Sequence, residues 1–324
     1  MSSKKKESVI RYLDTIQPVP VKWLAKPFLP LGKFSLLIGD PGVGKSTLAV
    51  SIAAALSTGR SILESDSTSI TGSVLFQSAE DNVADTLKPR LLANGADCSK
   101  IAILECGGLD ISEDCQLLDN AIRDTKARIL LLDPLQAFIG KNADMCRAAD
   151  MRRLLSGLAI IAERRECAVL AIGHMTKATG TKSLYRGLGS IDIAASARSV
   201  MLIERSEDEP EVRILSHIKS SLAPEADPLA FRIENNSTVR FLGTYEGELP
   251  GSADVMEDGK REWASSVLLS LLSGGPRASV DILSACTDAG ISERTLNRAK
   301  KDLGIRSFRI ADGWYWTLEN CEMN

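Results

Sequence analysis

Short apolar runs alternate along the chain with longer segments in which apolar residues recur every three or four positions. The runs predict buried strands, and the longer segments predict helices that cover them. From residue 33 to about 243 this alternation is typical of an α/β fold, with β-α-β units around a mainly parallel sheet. The predicted strands are residues 33–38, 73–77, 101–104, 128–132 and 168–172, and the predicted helices are residues 46–57, 82–94, 113–126 and 148–166.

After residue 198 the pattern changes, because strand-like runs follow one another with turns and no helical segment between them. They predict an antiparallel extension of the same sheet, formed by residues 199–203, 212–218, 229–234 and 238–242. Residues 243–259 contain Gly, Pro and acidic residues without periodicity, which is typical of an exposed linker. We therefore predict an N-terminal segment over 1–32, an α/β domain over 33–243, a linker over 244–259 and a small domain over 260–324.

The composition is that of an ordinary folded chain of two domains. Hydrophobic residues make up 44% of the 324 positions and charged residues 25%, and the net charge is −3. The charge balance does not indicate nucleic-acid binding, so any basic surface has to be local. No apolar run approaches the roughly 20 residues that span a bilayer, and residues 1–8 lack the apolar core of a secretory signal. We expect a cytoplasmic protein that does not bind membranes.

The seven cysteines form no C-x-x-C pair, and their number is odd. This argues against a disulfide framework and against zinc, so reduced structural thiols are predicted. Two histidines are too few for a His-rich metal site.

The first apolar strand leads into a segment that matches G-x-x-x-x-G-K-S/T, and a predicted helix follows it. In such a loop the backbone N–H groups point at phosphates, and the helix N-terminus adds a favourable field. Lys45 is expected to reach the β- and γ-phosphate oxygens, and the Ser46 hydroxyl to bind Mg²⁺. A plain glycine-rich turn before a core helix is the alternative. The predicted nucleotide-binding residues are Gly39, Asp40, Pro41, Gly42, Val43, Gly44, Lys45, Ser46 and Thr47.

A P-loop enzyme needs a second magnesium ligand, usually an Asp at the end of an apolar strand. Asp133 follows the run 128–132 and meets this requirement. The alternative is an Asp that starts a turn before Pro134. Because Pro134 stands where an adjacent catalytic base would, the base has to come from elsewhere in the chain.

Glu80 is the candidate for that base. Strand 73–77 is expected to lie close to the P-loop strand, and a carboxylate at its carboxyl end could orient the attacking water. The alternative is that Ser78 or Asp81 caps a helix and Glu80 only lies in its first turn. His174 follows strand 168–172 and would face the γ-phosphate from the same edge. A lone histidine is more often structural, so only the surrounding motifs can indicate a functional role for His174.

Five motifs taken together resemble the RecA-like ATPases. The resemblance is greatest to the group of the hexameric plasmid replicative helicase RepA, AAA family ATPases of phages and mobile elements, and looser to DnaB-type helicases. It spans roughly residues 20–243 and implies ATP and Mg²⁺ as cofactors, with Glu80 as base, Asp133 as magnesium carboxylate and His174 as γ-phosphate sensor. The motifs are the P-loop, Ser78-Ala79-Glu80-Asp81, Leu131-Leu132-Asp133-Pro134, Gly173-His174-Met175-Thr176-Lys177 and Arg186-Gly187-Leu188-Gly189-Ser190.

The same resemblance implies a homo-oligomer, a hexameric ring in which a neighbour supplies a cation to the nucleotide. Arg198 is similar in placement to the RepA-type arginine finger, and Arg186 is the second candidate. Lys219 resembles a lysine that points across the subunit boundary. DnaB-type proteins carry an arginine two residues further on, where this chain has Ser221, so the choice of trans-acting residue stays open. For Arg198 and Lys219 the alternative is an ordinary surface charge at a strand end.

Residues 260–324 predict helices over 263–272, 279–289 and 293–303, then strands over 308–310 and 314–316 around a tight turn. This order resembles the winged helix-turn-helix tails of many RepA-like ATPases. Residues 291–309 contain six basic residues and two acidic ones, and this local positive charge indicates DNA binding. A winged helix that docks on protein is the alternative. Trp314 and Trp316 are predicted to pack the small core. The candidate DNA-binding residues are Arg294, Arg298, Lys300, Lys301, Arg306 and Arg309.

The resulting functional prediction is an ATP-hydrolysing motor, a ring-forming DNA helicase or DNA-dependent ATPase that acts in the replication of a phage, plasmid or other mobile element. Single- or double-stranded DNA is the expected partner. Two alternatives stay open: a nucleotide-gated DNA-binding regulator and a recombination-type filament without unwinding activity.

Overall fold

The computed structural model describes residues 12–64, 70–106, 108–140, 147–174, 191–247, 249, 252–272, 275–288, 291–310 and 313–318. Among the helices of these ranges, none combines the length and the apolar character that crossing a lipid bilayer requires.

The strands up to residue 247 are β1 (Trp23–Ala25), β2 (Leu29–Pro30), β3 (Phe34–Gly39), β4 (Ser73–Ser78), β5 (Ile101–Ala102), β6 (Ala127–Asp133), β7 (Ala168–His174), β8 (Ser199–Arg205), β9 (Val212–Ser220), β10 (Leu229–Ile233) and β11 (Val239–Thr244). The helices of the same part are α1 (Lys45–Thr58), α2 (Lys88–Ala93), α3 (Cys115–Thr125), α4 (Ala148–Arg165) and α5 (Ile191–Ser196).

Within the described residues, nine strands form one sheet in the order β11-β10-β9-β8-β3-β7-β6-β4-β5. The strands from β8 to β5 in this order pair in parallel, whereas β9, β10 and β11 extend the sheet antiparallel. The turn between β8 and β9 is short, so it can join only antiparallel strands. The predicted α/β fold, with its mainly parallel sheet and antiparallel extension, is confirmed, and it is that of a RecA-like P-loop core. The assignment of residues 199–203 to the extension is wrong, because β8 pairs in parallel with β3 and the antiparallel part begins at β9. Helix α5 precedes β8 and lies in the crossover that a parallel pair needs.

Both faces of the sheet are covered, which explains why the central strands are continuous apolar runs. Leu37 points into a core with helix α1, while Leu36 and Ile38 point into a second core with helices α3 and α4. The parallel strands of the sheet all run in one direction. We call the side of the sheet where these strands end the carboxyl edge, and the side where they begin the amino edge.

The predicted helix over 82–94 is divided in the structure. A π-helical turn covers Val83–Leu87, and α2 follows it. The Asn82 side chain accepts hydrogen bonds from the backbone N–H groups of Ala84 and Asp85 and begins the turn. Pro89 has no N–H to donate to the preceding turn, which explains the change of helix type.

The C-terminal part contains α6 (Ser252–Leu272), β12 (Arg277–Ala278), α7 (Ser279–Asp288), α8 (Glu293–Asp302), β13 (Arg306–Ile310) and β14 (Gly313–Thr317). Its three strands form a separate antiparallel sheet in the order β12-β14-β13. It has its own core, which includes Leu268, Ile282, Leu296 and Trp316.

Two sequence predictions about this part need correction. Helix α6 begins at Ser252, so residues 252–259 are not an irregular linker. Trp316 is buried, but Trp314 is 54% exposed and does not pack the core. It lies beside the hairpin turn, on the last pair but one of the β13–β14 ladder.

His217 on β9 is a buried neutral histidine. Its Nδ1 accepts a hydrogen bond from the Ala226 N–H at 3.2 Å, so Nε2 carries the proton and donates to Ser199 Oγ at 3.0 Å. Burial lowers its pKa to about 4.

Because the pKa of His217 is lowered, we expect the folded protein to become less stable in mild acid. Between pH 6.5 and 4 the unfolded chain binds a proton that the folded protein excludes, so the free energy of unfolding falls as the pH falls, by up to about 1.4 kcal/mol per pH unit. Chemical denaturation at pH 7, 6 and 5 measures the slope. His217→Gln removes the titrating group and is expected to flatten it, and equal slopes in both proteins would contradict the assignment.

Candidate nucleotide-binding site

The P-loop connects β3 to α1 at the carboxyl edge of the sheet. Gly42 and Gly44 have φ values of 72° and 109°, in the left-handed region that favours glycine. A Cβ on Gly44 would also overlap Cδ1 of Ile233 in the neighbouring hairpin. The backbone conformation therefore requires glycine at both positions, and packing adds a second reason at Gly44.

Lys45 lies under this loop and is only 4% exposed. Its Nζ donates hydrogen bonds to the backbone oxygens of Gly39 and Asp40, both at 2.8 Å. Burial lowers the pKa of the ammonium, and the carboxylates of Asp133, Asp40 and Glu80 act in the opposite direction. The charges of carboxylates from three separate segments thus favour the charged form of this one lysine.

Asp133 ends β6, as the sequence predicts, and is 3% exposed. Its backbone oxygen accepts a hydrogen bond from the Ala79 N–H at 3.0 Å, and it pairs in register with Ser78 at the end of β4. These contacts fix Asp133 beside the segment that carries Glu80.

Glu80 is exposed and precedes the helical turn. Asn82 forms the N-cap, and Asp81 makes an ion pair of 2.7 Å with Arg90, so neither Ser78 nor Asp81 caps a helix that begins with Glu80.

The expected closeness of strand β4 to the P-loop strand is wrong, because β7 and β6 lie between β4 and β3. Glu80 reaches the site through the loop that leaves the carboxyl edge.

His174 is the last residue of β7, and its backbone pairs with Gly39 at the start of the P-loop. Its place at the carboxyl edge agrees with the sequence prediction. Arg186, together with residues 175–177 and 186–190 of the recognised motifs, lies outside the described residues. Thr47 follows Ser46 in the first turn of α1.

Arg198 lies at the opposite edge of the sheet from the P-loop. Its backbone N–H donates to Phe34 O, at the start of β3, while the P-loop leaves the far end of that strand. The strand is about 17 Å long at a rise of about 3.3 Å per residue, so the two positions are separated by that length. The exposed Arg198 side chain is therefore too far away to act at the P-loop of its own subunit.

Lys219 lies at the same amino edge, where its strand pairs with Val200. Its Nζ donates to Ala194 O at 3.0 Å and Ala195 O at 2.8 Å, and it lies 5.9 Å from the Trp263 ring centroid. Burial, aided by the charge of Arg198, lowers its pKa to about 8. Lys219 is thus engaged within its own chain, whereas Arg198 presents its side chain to the surface.

The sequence did not predict a role at the carboxyl edge for four residues that the structure places there. Arg205 and Arg213 donate to P-loop carbonyls, and Ile233 packs on Gly44. Glu204, beside Asp40, has its pKa raised to about 7 by burial and by the charges of Asp40 and Glu207. All four lie near strand ends, but the sequence does not indicate which edge of the sheet each end occupies.

The basic residues of the C-terminal part differ in exposure. Lys301, Arg306 and Arg309 are exposed, and Arg298 is partly buried. Lys300 packs over the Trp316 ring at 3.8 Å and donates to Ser307 Oγ, so its ammonium is used within the module. For Arg294 only the backbone, in α8, is described.

Known proteins share parts of this sequence. Over 150 residues the chain is 27% identical to the DNA repair protein RadA of Bacillus subtilis (strain 168), a match that covers 45% of this chain and 28% of that protein. The chain thus spans less than a third of the length of this curated relative.

The sequence pattern of the AAA domain family matches residues 2–180, which is more than half of the chain. The matched stretch contains the P-loop, Glu80, Asp133 and the strand that ends at His174. The fold, the P-loop geometry and this match agree, and the chain belongs to the AAA domain family, with a RecA-like core.

Proposed function

We propose that this protein is an ATP-hydrolysing motor that assembles as a ring and acts on DNA, with helicase activity on single-stranded DNA as its output. The observation that carries the proposal is that the P-loop, the buried Asp133 at the end of β6 and the segment that carries Glu80, bonded to Asp133 O through the Ala79 N–H, all lie at the carboxyl edge. The charges of Asp133, Asp40 and Glu80 oppose the lowering of the Lys45 pKa by burial, which agrees with this placement. A binding site for a triphosphate needs the loop and the lysine. Cleavage of the terminal phosphate also needs a magnesium carboxylate and a base, the roles proposed for Asp133 and Glu80.

The residues at the carboxyl edge fit a magnesium ion. The Ser46 hydroxyl and the Asp133 carboxylate are oxygen donors, which Mg²⁺ prefers, and the charge of Asp133 is felt at Lys45. When bound, the ion neutralises charge on the β- and γ-phosphate oxygens. Lys45, whose Nζ bonds to Gly39 O and Asp40 O in the structure, would turn to the same phosphates when a nucleotide binds. Glu80, exposed at the carboxyl edge, would orient the attacking water and accept its proton.

The position of Arg198 supports a composite site between subunits. At the amino edge it can serve only a neighbour's nucleotide, which a ring or a filament would bring to it. Lys219, bonded inside its own subunit, is the weaker candidate.

The C-terminal part supports DNA binding. Three helices followed by a hairpin, with a three-stranded sheet, is the arrangement of a winged helix, in which α8 would enter the major groove and the hairpin would contact the backbone. Lys301, Arg306 and Arg309 lie exposed on these two elements. The similarity to a DNA repair protein points in the same direction.

ATP hydrolysis measured with and without single-stranded DNA tests the proposal. We expect DNA to stimulate the wild-type rate, strand separation to require ATP, and Lys45→Ala to show only background hydrolysis. Arg123→Ala is a suitable control, because Arg123 is exposed on α3 and pairs with Asp124. Hydrolysis that DNA does not stimulate, without unwinding, would favour a nucleotide-gated regulator. Open helical assemblies in electron micrographs with ATP would favour a filament.

The winged-helix assignment predicts which charges contact DNA. Lys301→Ala combined with Arg309→Ala is expected to weaken duplex binding about tenfold and to lower the salt slope by about two, because each phosphate contact contributes about one. Fluorescence anisotropy across a salt series measures both. Arg277→Ala, an exposed charge on β12, is the matched control. If Arg277→Ala weakens binding as much as the double variant, or if neither does, the assignment of α8 and the hairpin is wrong.

A further inference from the structure

Two arginines approach the P-loop from the side strands β8 and β9. We propose that Arg205 and Arg213 are positioning residues that hold the P-loop in its nucleotide-binding conformation by bonding to its outward-facing carbonyl oxygens. This inference rests on the proposed function only in requiring that the loop binds a nucleotide.

The contacts are specific to the two central peptides of the loop. Arg205 Nη2 donates to Gly42 O at 3.1 Å, and Arg213 Nε donates to Val43 O at 3.2 Å. Both guanidinium groups also donate to Pro210 O, in the turn that joins their strands, at 3.5 Å and 2.8 Å.

The two arginines occupy an unfavourable position for like charges. They stand directly opposite each other in the β8–β9 ladder, where like charges destabilise a sheet. Burial and the charge of Arg205 lower the pKa of Arg213. Hydrogen bonds to the carbonyl oxygens of the loop and of the turn offset this repulsion. Pro210 O accepts from both arginines and so keeps them side by side.

The contacts decide which way the loop amides point. In a planar trans peptide the C=O and the next N–H point in opposite directions. Holding Val43 O against Arg213 therefore turns the Gly44 N–H away from Arg213, toward the inner side of the loop. Holding Gly42 O likewise sets the Val43 N–H, which closes the turn by donating to Asp40 O at 3.3 Å.

A glycine-rich loop needs such support. Gly42 and Gly44 adopt positive φ values and have the largest conformational freedom to lose when the loop orders around phosphates. Contacts that order the loop in advance reduce this loss and raise affinity without touching the ligand. Arg213 spans two acceptors with its rigid fork, Val43 O and Pro210 O, which a lysine ammonium on a flexible stem cannot reproduce.

Calorimetric titration with ADP and with ATP tests the proposal in Arg205→Gln, Arg213→Gln and Arg213→Lys. Because P-loop amides hold the α- and β-phosphates, we expect each variant to bind both nucleotides about five- to tenfold more weakly, by the same factor for ADP and ATP. KM for ATP is expected to rise far more than kcat falls. Arg240→Gln, which removes an exposed charge from the outer strand β11, is expected to bind like the wild type.

Three results would overturn the inference. A loss confined to ATP would mean that the arginines contact the γ-phosphate, and full affinity in Arg213→Lys would mean that charge alone matters. Unchanged affinity in both glutamine variants would remove any role. A wild-type protein that binds neither nucleotide would instead defeat the proposed function as well. Melting temperatures show whether Arg213→Gln is folded, and Arg205→Gln, at an exposed position, supplies the independent variant.

Discussion

Replacing Glu80 with Gln is expected to slow ATP hydrolysis by about 10²–10⁴-fold while ATP binding stays close to that of the wild type. A positioned general base contributes about this much, and an amide cannot accept the proton of the attacking water. Glu80 is exposed at the carboxyl edge, and its charge acts on Lys45. Single-turnover hydrolysis and equilibrium ATP binding, measured on the same preparation, separate the two effects.

The matched control for this prediction is Asp81→Asn. It neutralises the adjacent carboxylate, but that carboxylate is directed to Arg90, so a change of no more than a few fold is expected. Similar losses in both variants would show that the segment after β4 matters for its structure and not for a base at Glu80.

We expect Arg198→Ala to reduce ATP hydrolysis by about 10³–10⁵-fold, as the loss of an arginine finger does, without a comparable loss of nucleotide affinity. The physical reason is positional, because Arg198 lies beside Phe34 at the amino edge and cannot reach the P-loop at the other end of β3. Its cation can stabilise the charge of phosphoryl transfer only at a neighbouring subunit's site. Lys219→Met is expected to lose less activity, since Lys219 bonds to carbonyls of its own chain.

Mixing inactive variants distinguishes action between subunits from action within one. Arg198→Ala subunits retain an intact P-loop, and Lys45→Ala subunits retain an intact Arg198. Mixed assemblies therefore contain some interfaces with both groups, and hydrolysis is expected to reappear on mixing. Arg123→Ala, an exposed arginine on α3, serves as the charge control. Continued inactivity of mixtures that demonstrably co-assemble would show that Arg198 does not act across the boundary.

The site was predictable to the extent that its chemistry depends on contiguous residues. The P-loop, its preceding strand and its following helix are local, so the positions of Lys45 and Ser46 at the start of the helix could be predicted without coordinates. Asp133 was recognisable for the same reason, because a carboxylate directly after an apolar run marks the end of a buried strand. The strand signals after residue 198 likewise indicated an antiparallel extension, but they placed its start one strand too early, since β8 is parallel to β3 and β9 is the first antiparallel strand.

Strand order is not a local property, and the sequence did not predict it correctly. The expectation that β4 lies close to β3 was wrong, because the helical crossovers place β7 and β6 between them. Helix α5 and the early start of α6 were also missed, since short or charged helices carry a weak periodic signal.

By itself, the sequence determined the class of the fold, the phosphate-binding loop and the identity of the carboxylates near it, because each follows from neighbours along the chain. Only the tertiary structure decided that Arg198 and Lys219 lie at the edge away from the P-loop, while Arg205 and Arg213 contact it. The reason is that the direction and pairing of a strand decide which of its ends meets the site, and both depend on residues distant in the chain.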